Sequence, residues 1–181
     1  MRGSVLNPGL LISSPGERAE RLYRLGEAVL VHLGDTDRAD DVFLRASDLD
    51  PTHVPTLRRL LDVYWRADDP GALVEVATEL ASKNALANGP TYDGSLAHAL
   101  VAAALLGDTE LARQLGVALG EAAPRYVAAA LGELAGRQGR LQLQTASTAI
   151  AELASRGMLD LAKVRAAAVG TPVASVLAGP F

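Results

Sequence analysis

The residues with the most specific chemistry lie in one stretch, Leu57-Arg58-Arg59-Leu60-Leu61-Asp62-Val63-Tyr64-Trp65-Arg66. Leu57, Leu60, Leu61 and Tyr64 recur at helical spacing and form one apolar face. Arg58, Asp62 and Trp65 share an adjoining face, with Arg59 and Arg66 beside them. This grouping suits recognition and not bond-making. Arginine grips a carboxylate through two parallel hydrogen bonds, and Trp and Arg are enriched at interface hot spots. A peptide carboxylate or acidic side chain is the matching ligand. The alternative is structural: Trp65 packs against the next helix, and the arginines pair with Asp62, Asp68 or Asp69. For Trp65 the packed reading is preferred.

The remaining candidates for chemistry are weaker. His32, His53 and His98 are far apart, none in a His-x-x-x-His pair, and each reads as a surface or helix-end residue. Asp35, Asp37, Asp40 and Asp41 alternate in a way that suggests a calcium loop. Asp40 stands where such a loop needs Gly, however, and Ala46 where it needs Glu. Helix capping is the better reading, because carboxylates favour the positive end of a helix. Gly132, Gly136 and Gly139 follow a helical pattern and not a strand, so a dinucleotide loop fails in context. The sequence has no Gly-x-Ser-x-Gly elbow and no phosphate loop ending in Gly-Lys. The chain contains no Cys, which excludes disulfides, thiol catalysis and Cys-ligated zinc. An enzyme is therefore not expected, nor is a metal or a cofactor.

The elements that position these residues are helices. Ala and Leu, the strongest helix formers, supply 33 and 30 of the 181 residues. A formal net charge of −4 argues against nucleic acid as a partner. No apolar run reaches the ~18 residues of a membrane span. Without a clear leader, the cytoplasm is the default compartment.

Turn signals divide the chain into helices over about 16–33, 35–49, 53–67, 69–82, 92–106, 108–121, 124–136, 141–155 and 159–169. Ser14-Pro15-Gly16-Glu17 is a capping box with proline at the first helical position. Asp35, Asp69 and Asp108 each cap the helix that follows. The resulting domain reading is an extended N-terminal segment over 1–15, a helical repeat domain over 16–170 and an extended apolar tail over 171–181. At least one of these apolar tails is expected to pack on the helices or on a neighbour. The short connections make sequential helices antiparallel neighbours.

The helices repeat in pairs. Leu33-Gly34-Asp35-Thr36 returns as Leu106-Gly107-Asp108-Thr109, with Asp68-Asp69-Pro70 at the intermediate turn. Ala39, Ala72 and Ala112 follow these turns at a spacing that marks a helical-hairpin repeat. Leu22, Leu25, Gly26 and Val29, then Ala39, Phe43, Ala46 and Pro51, resemble the tetratricopeptide repeat, with one extra residue between the two halves. Leu57, Leu60, Leu61 and Tyr64 with Ala72 and Val76 give a second match. The resemblance is strongest over residues 17–82 and thins towards 121. In this reading small residues such as Gly26 let helices approach, while Leu25, Phe43, Leu60 and Tyr64 fill the gaps.

The resemblance implies an all-α, helical-hairpin repeat solenoid of about four antiparallel pairs plus a C-terminal capping helix. It also implies that the first helix of each pair lines a concave groove. Groove-facing positions are then Glu20, Tyr23 and Glu27 in the first pair, and Arg58, Asp62, Trp65 and Arg66 in the second. The expected function is a non-enzymatic scaffold or adaptor that binds a protein or peptide there. The alternative is a self-association or structural module of a larger regulatory or secretion-related protein. The Ala-rich runs of the C-terminal half, Ala102–Ala104, Ala128–Ala130 and Ala166–Ala168, offer a smooth surface for a homodimer.

Overall fold

A computed structural model describes residues 13–86, 92–137 and 140–178. These residues are all-helical, with no strand among them. The helices are α1 (Pro15–Ala28), continued by a π-helical turn (Val29–Leu33), α2 (Thr36–Leu49), α3 (Val54–Arg66), α4 (Pro70–Ser82) and α5 (Asp93–Leu106). They continue as α6 (Thr109–Leu119), α7 (Ala123–Arg137), α8 (Arg140–Ser155), α9 (Leu161–Ala167) and α10 (Val173–Leu177). The expected N-terminal segment lies mostly outside the described residues.

Capping explains where the helices start. Ser14 Oγ accepts from Glu17 N–H at 3.2 Å, and Glu17 Oε2 accepts from Ser14 N–H at 2.9 Å, closing the box. Asp35, Asp69 and Asp108 accept from the amides of Arg38, Ala72 and Leu111 at 3.0–3.1 Å. Asp160 does the same for α9 through Lys163 N–H. The residue before each of the Asp35, Asp69 and Asp108 caps is left-handed: Gly34 (φ 63°), Asp68 (φ 57°) and Gly107 (φ 76°). The turn therefore repeats in backbone geometry even where Asp replaces Gly, a substitution that Asp tolerates because its short side chain can bond locally.

The chain divides into two units, residues 1–56 and 57–181, with the boundary inside α3. In the first unit α1 packs on α2. Ala39, Ala46 and Phe43 are buried. A Cβ placed on Gly26 would lie 2.5–2.9 Å from three atoms of the Phe43 ring, so only glycine permits this approach. Leu25 differs from expectation. It is half-exposed and fills no gap, because the Gly26 contact turns the neighbouring position of α1 outward. The π turn after Ala28 accounts for the extra residue between the halves, since an i→i+5 turn holds one residue more than an α turn. It leaves Val31 and Leu33 exposed.

In the second unit α5 is central. It packs against α4, α6, α7 and α8. Every residue from Ser95 to Ala104 except His98 is buried. A helix apolar on all sides belongs inside, and alanine side chains let four neighbours come close. Ala102–Ala104 are thus consumed within the unit and do not contribute to the expected smooth surface; Ala128, Ala130 and Ala168 are buried as well, whereas Ala129, Ala166 and Ala167 are exposed.

The C-terminal segment corrects a second expectation. Residues 171–181 are not an extended tail throughout, because Val173–Leu177 forms a helical turn. Val173 and Leu177 are fully buried at i, i+4 spacing, and α10 contacts α7 and α8. Arg165 Nε donates to Leu177 O at 2.7 Å. The fixed φ of Pro172 starts the turn, and burial of the two apolar side chains repays its ordering.

Candidate functional site

Three helices of the second unit bring polar side chains to one place. Helix α3 supplies Asp62 and Trp65, α5 supplies Ser95 and His98, and α7 supplies Glu133 and Arg137. Each pair is three or four residues apart, the spacing that puts two side chains on one helix face.

The His98 and Trp65 rings stack at 4.3 Å with an interplanar angle of 7°. Trp65 is buried, and its Nε1–H donates to Glu133 Oε2 at 2.7 Å. His98 Nε2 lies 3.1 Å from the same oxygen. Its Nδ1 is buried, has no hydrogen-bond partner among the described residues, and stands 3.8 Å from Asp62 Oδ1. That Asp62 oxygen accepts from Ser95 Oγ–H at 2.6 Å. Arg137 donates to the Trp65 carbonyl, lies 3.7 Å from Glu133 Oε2, and places its guanidinium carbon 5.1 Å from the Trp65 ring centre.

The charges in this cluster are coupled. Burial alone would push the Asp62 carboxyl up. The neighbouring His98, the Ser95 hydroxyl and the positive charge of Arg66 outweigh burial and hold it below its ordinary value. Glu133, by contrast, has a side chain 46% exposed, so the outer edge of the cluster meets water.

The residues expected to line a groove fall in different surroundings. Asp62 and Trp65 lie in this cluster, but the Trp65 ring is inside and does not present an exposed anchor. Arg66 is exposed at the end of α3. Arg58 is half-buried, donates to Ala85 O at 3.3 Å and lies 5.1 Å over the Tyr92 ring. Asp62 therefore meets Ser95 and His98, and Arg58 is already partnered.

Glu20, Tyr23 and Glu27 lie on α1, in the first unit. Glu20 Oε1 accepts from Arg24 Nε at 2.6 Å, and its Oε2 lies 3.0 Å from His53 Nε2. The Arg24 guanidinium beside it holds the Glu20 carboxyl below the usual range; slight burial opposes this and His53 assists. Tyr23 packs edge-on to His53 at 5.7 Å, and Glu27 is half-exposed.

Sequence reasoning missed Ser95, His98, Glu133 and Arg137. His98 is neither a surface nor a helix-end residue: it sits within α5 with its side chain 12% exposed. An imidazole on so buried a helix must meet polar groups from its neighbours, here α3 and α7. His53 does stand at a helix start, although its ring is largely covered, and His32 is exposed in the π turn. Carrying the expected groove-facing positions on to α5 and α7, the first helices of the next two expected pairs, would have pointed to the missed residues. Among the described residues no group of three His, Asp or Glu side chains is placed to hold a metal ion. None of their helices is long and apolar enough to cross a membrane.

Comparison of the chain with protein-family models, with curated proteins and with solved structures gives no match.

Proposed function

We propose that this protein is a non-enzymatic scaffold of the tetratricopeptide-like kind, which binds a peptide or protein along the first helices of successive hairpins. One observation carries the reading. Three such helices, α3, α5 and α7, each contribute a pair of side chains to one continuous polar and aromatic cluster. In a repeat array each unit packs only on its neighbours. The substantial helix contacts of residues 57–178 fit that rule: α4 with α5, α5 with α7 and α8, and α7 and α8 with α9 and α10. The recurrent left-handed turn and Asp cap also support it. The Ser95 hydroxyl donates to Asp62 and is not aimed at His98 as a nucleophile would be.

Panning a random-peptide library on the immobilised protein tests the proposal. Enriched peptides should bind saturably, and a Glu133→Ala/Arg137→Ala variant should weaken them about tenfold, the order of one lost charged contact. A library that yields no saturable binder, or binders indifferent to both substitutions, would refute it.

A further inference from the structure

We propose that the cleft where the α3–α4 turn meets α5 and α7 is a pocket for the basic side chain, arginine or lysine, of a peptide ligand. This inference rests on the scaffold reading and supplies the chemistry of its ligand. The cleft has a volume of about 270 Å³. Leu73 and Leu134 line its apolar part, Tyr64 and Trp65 add aromatic surface, and Asp68 and Asp69 bring two carboxylates. A long cationic side chain matches each feature. Its methylene stem covers the apolar and aromatic surface while its head stays with charge and water.

The charges around the cleft select the sign of the ligand. Asp69 Oδ1 already accepts from Ala72 N–H as the cap of α4. Asp68 is exposed, and its carboxylate makes no hydrogen bond or ion pair among the described residues. Of the nearby cations, Arg137 is engaged with Glu133 and the Trp65 carbonyl, and the charge of Arg66 acts on Asp62. Asp68 is thus the carboxylate left to meet a ligand. An acidic peptide, the partner suggested by the arginines of α3, would meet two like charges here and be rejected.

Trp65 is the only tryptophan of the chain, so its emission reports on this cleft. The probe is a short peptide of Gly and Ser blocked at both ends, with a single central arginine, titrated into the full chain. A matched peptide carries neutral citrulline instead. The arginine peptide should change Trp65 emission saturably, and citrulline should bind about tenfold more weakly or not at all, as expected when one opposed charge is lost. Asp68→Asn should weaken arginine binding by a similar factor with an unchanged thermal melt, because Asn also tolerates the left-handed backbone at this position.

Equal binding of arginine and citrulline would overturn the proposal, as would no saturable response at millimolar peptide or full affinity in Asp68→Asn. If library-selected peptides still bind through Glu133 and Arg137 in that case, the pocket alone has failed. If no peptide binds, the scaffold reading has failed with it.

Discussion

Replacing Gly26 and Gly132 by alanine, one at a time, should move stability in opposite directions. Both glycines lie inside helices, α1 and α7. In a helix interior, alanine is favoured over glycine by about 0.5–1 kcal/mol, because it loses less backbone entropy on folding. At Gly132 an added Cβ meets nothing within 4 Å, so that gain is kept whole. At Gly26 the same Cβ would stand 2.5, 2.8 and 2.9 Å from three atoms of the Phe43 ring. Something must move, and the ring is only 2% exposed. Overpacking of this kind costs about 1–3 kcal/mol. Subtracting the helix gain leaves Gly26→Ala destabilised by about 1 kcal/mol and Gly132→Ala stabilised by just under that.

Urea unfolding followed by circular dichroism, with amide exchange to resolve the two units, measures both values. Adding Phe43→Leu to Gly26→Ala should recover part of the loss, because two residues in contact couple. If Gly26→Ala proves as stable as Gly132→Ala, the close approach of α1 to α2 is wrong.

Three further outcomes follow from particular residues. Ser147 is fully buried, and its hydroxyl has no partner among the described residues. Ser147→Ala should therefore raise stability by about 1 kcal/mol, the cost of an unsatisfied buried hydroxyl, and a clear fall in the urea midpoint would contradict this. Leu177→Ala should cost about 2–5 kcal/mol, as core truncations do; a negligible change in thermal melting would return the C-terminal segment to a free tail. Asp62 has a folded-state pKa below its ordinary 3.8. Its stabilising contribution is complete above that value and lost as pH falls through the lower folded-state value. Acid titration of stability should thus lose part of its slope in Asp62→Asn, and an identical acid limb in both proteins would remove Asp62 from the network.

Much of the helical layout was legible without coordinates, because its signals are local. Ser14 and Glu17 satisfy each other across one turn, and the Gly-Asp and Asp-Asp turns fix a left-handed residue and a cap within two positions. The small-residue rule also held for Gly26, Ala39 and Ala46: Gly26 faces the ring of Phe43, the eighth residue of α2, where a Cβ would clash, and both alanines are fully buried. It failed to mark Leu25, whose apolar side chain faces solvent. The last turn, Val173–Leu177, was hidden behind Pro172 and read as extended, because its stability comes from burial against α7 and α8 and not from propensity.

The sequence by itself determined that the chain is helical, where most of its helices begin and end, and that Asp62 and Trp65 share a helix face. These follow from propensity, capping and periodicity, which act within a few residues. Tertiary structure decided that the Trp65 ring turns inward onto His98, that Glu133 meets both rings through one oxygen, and that Asp68 comes to a cleft also lined by Leu73 and Leu134. The helices involved are separated by more than thirty residues of chain, as in the Trp65–His98 and His98–Glu133 contacts. Such meetings depend on how buried faces pack, which no local pattern encodes.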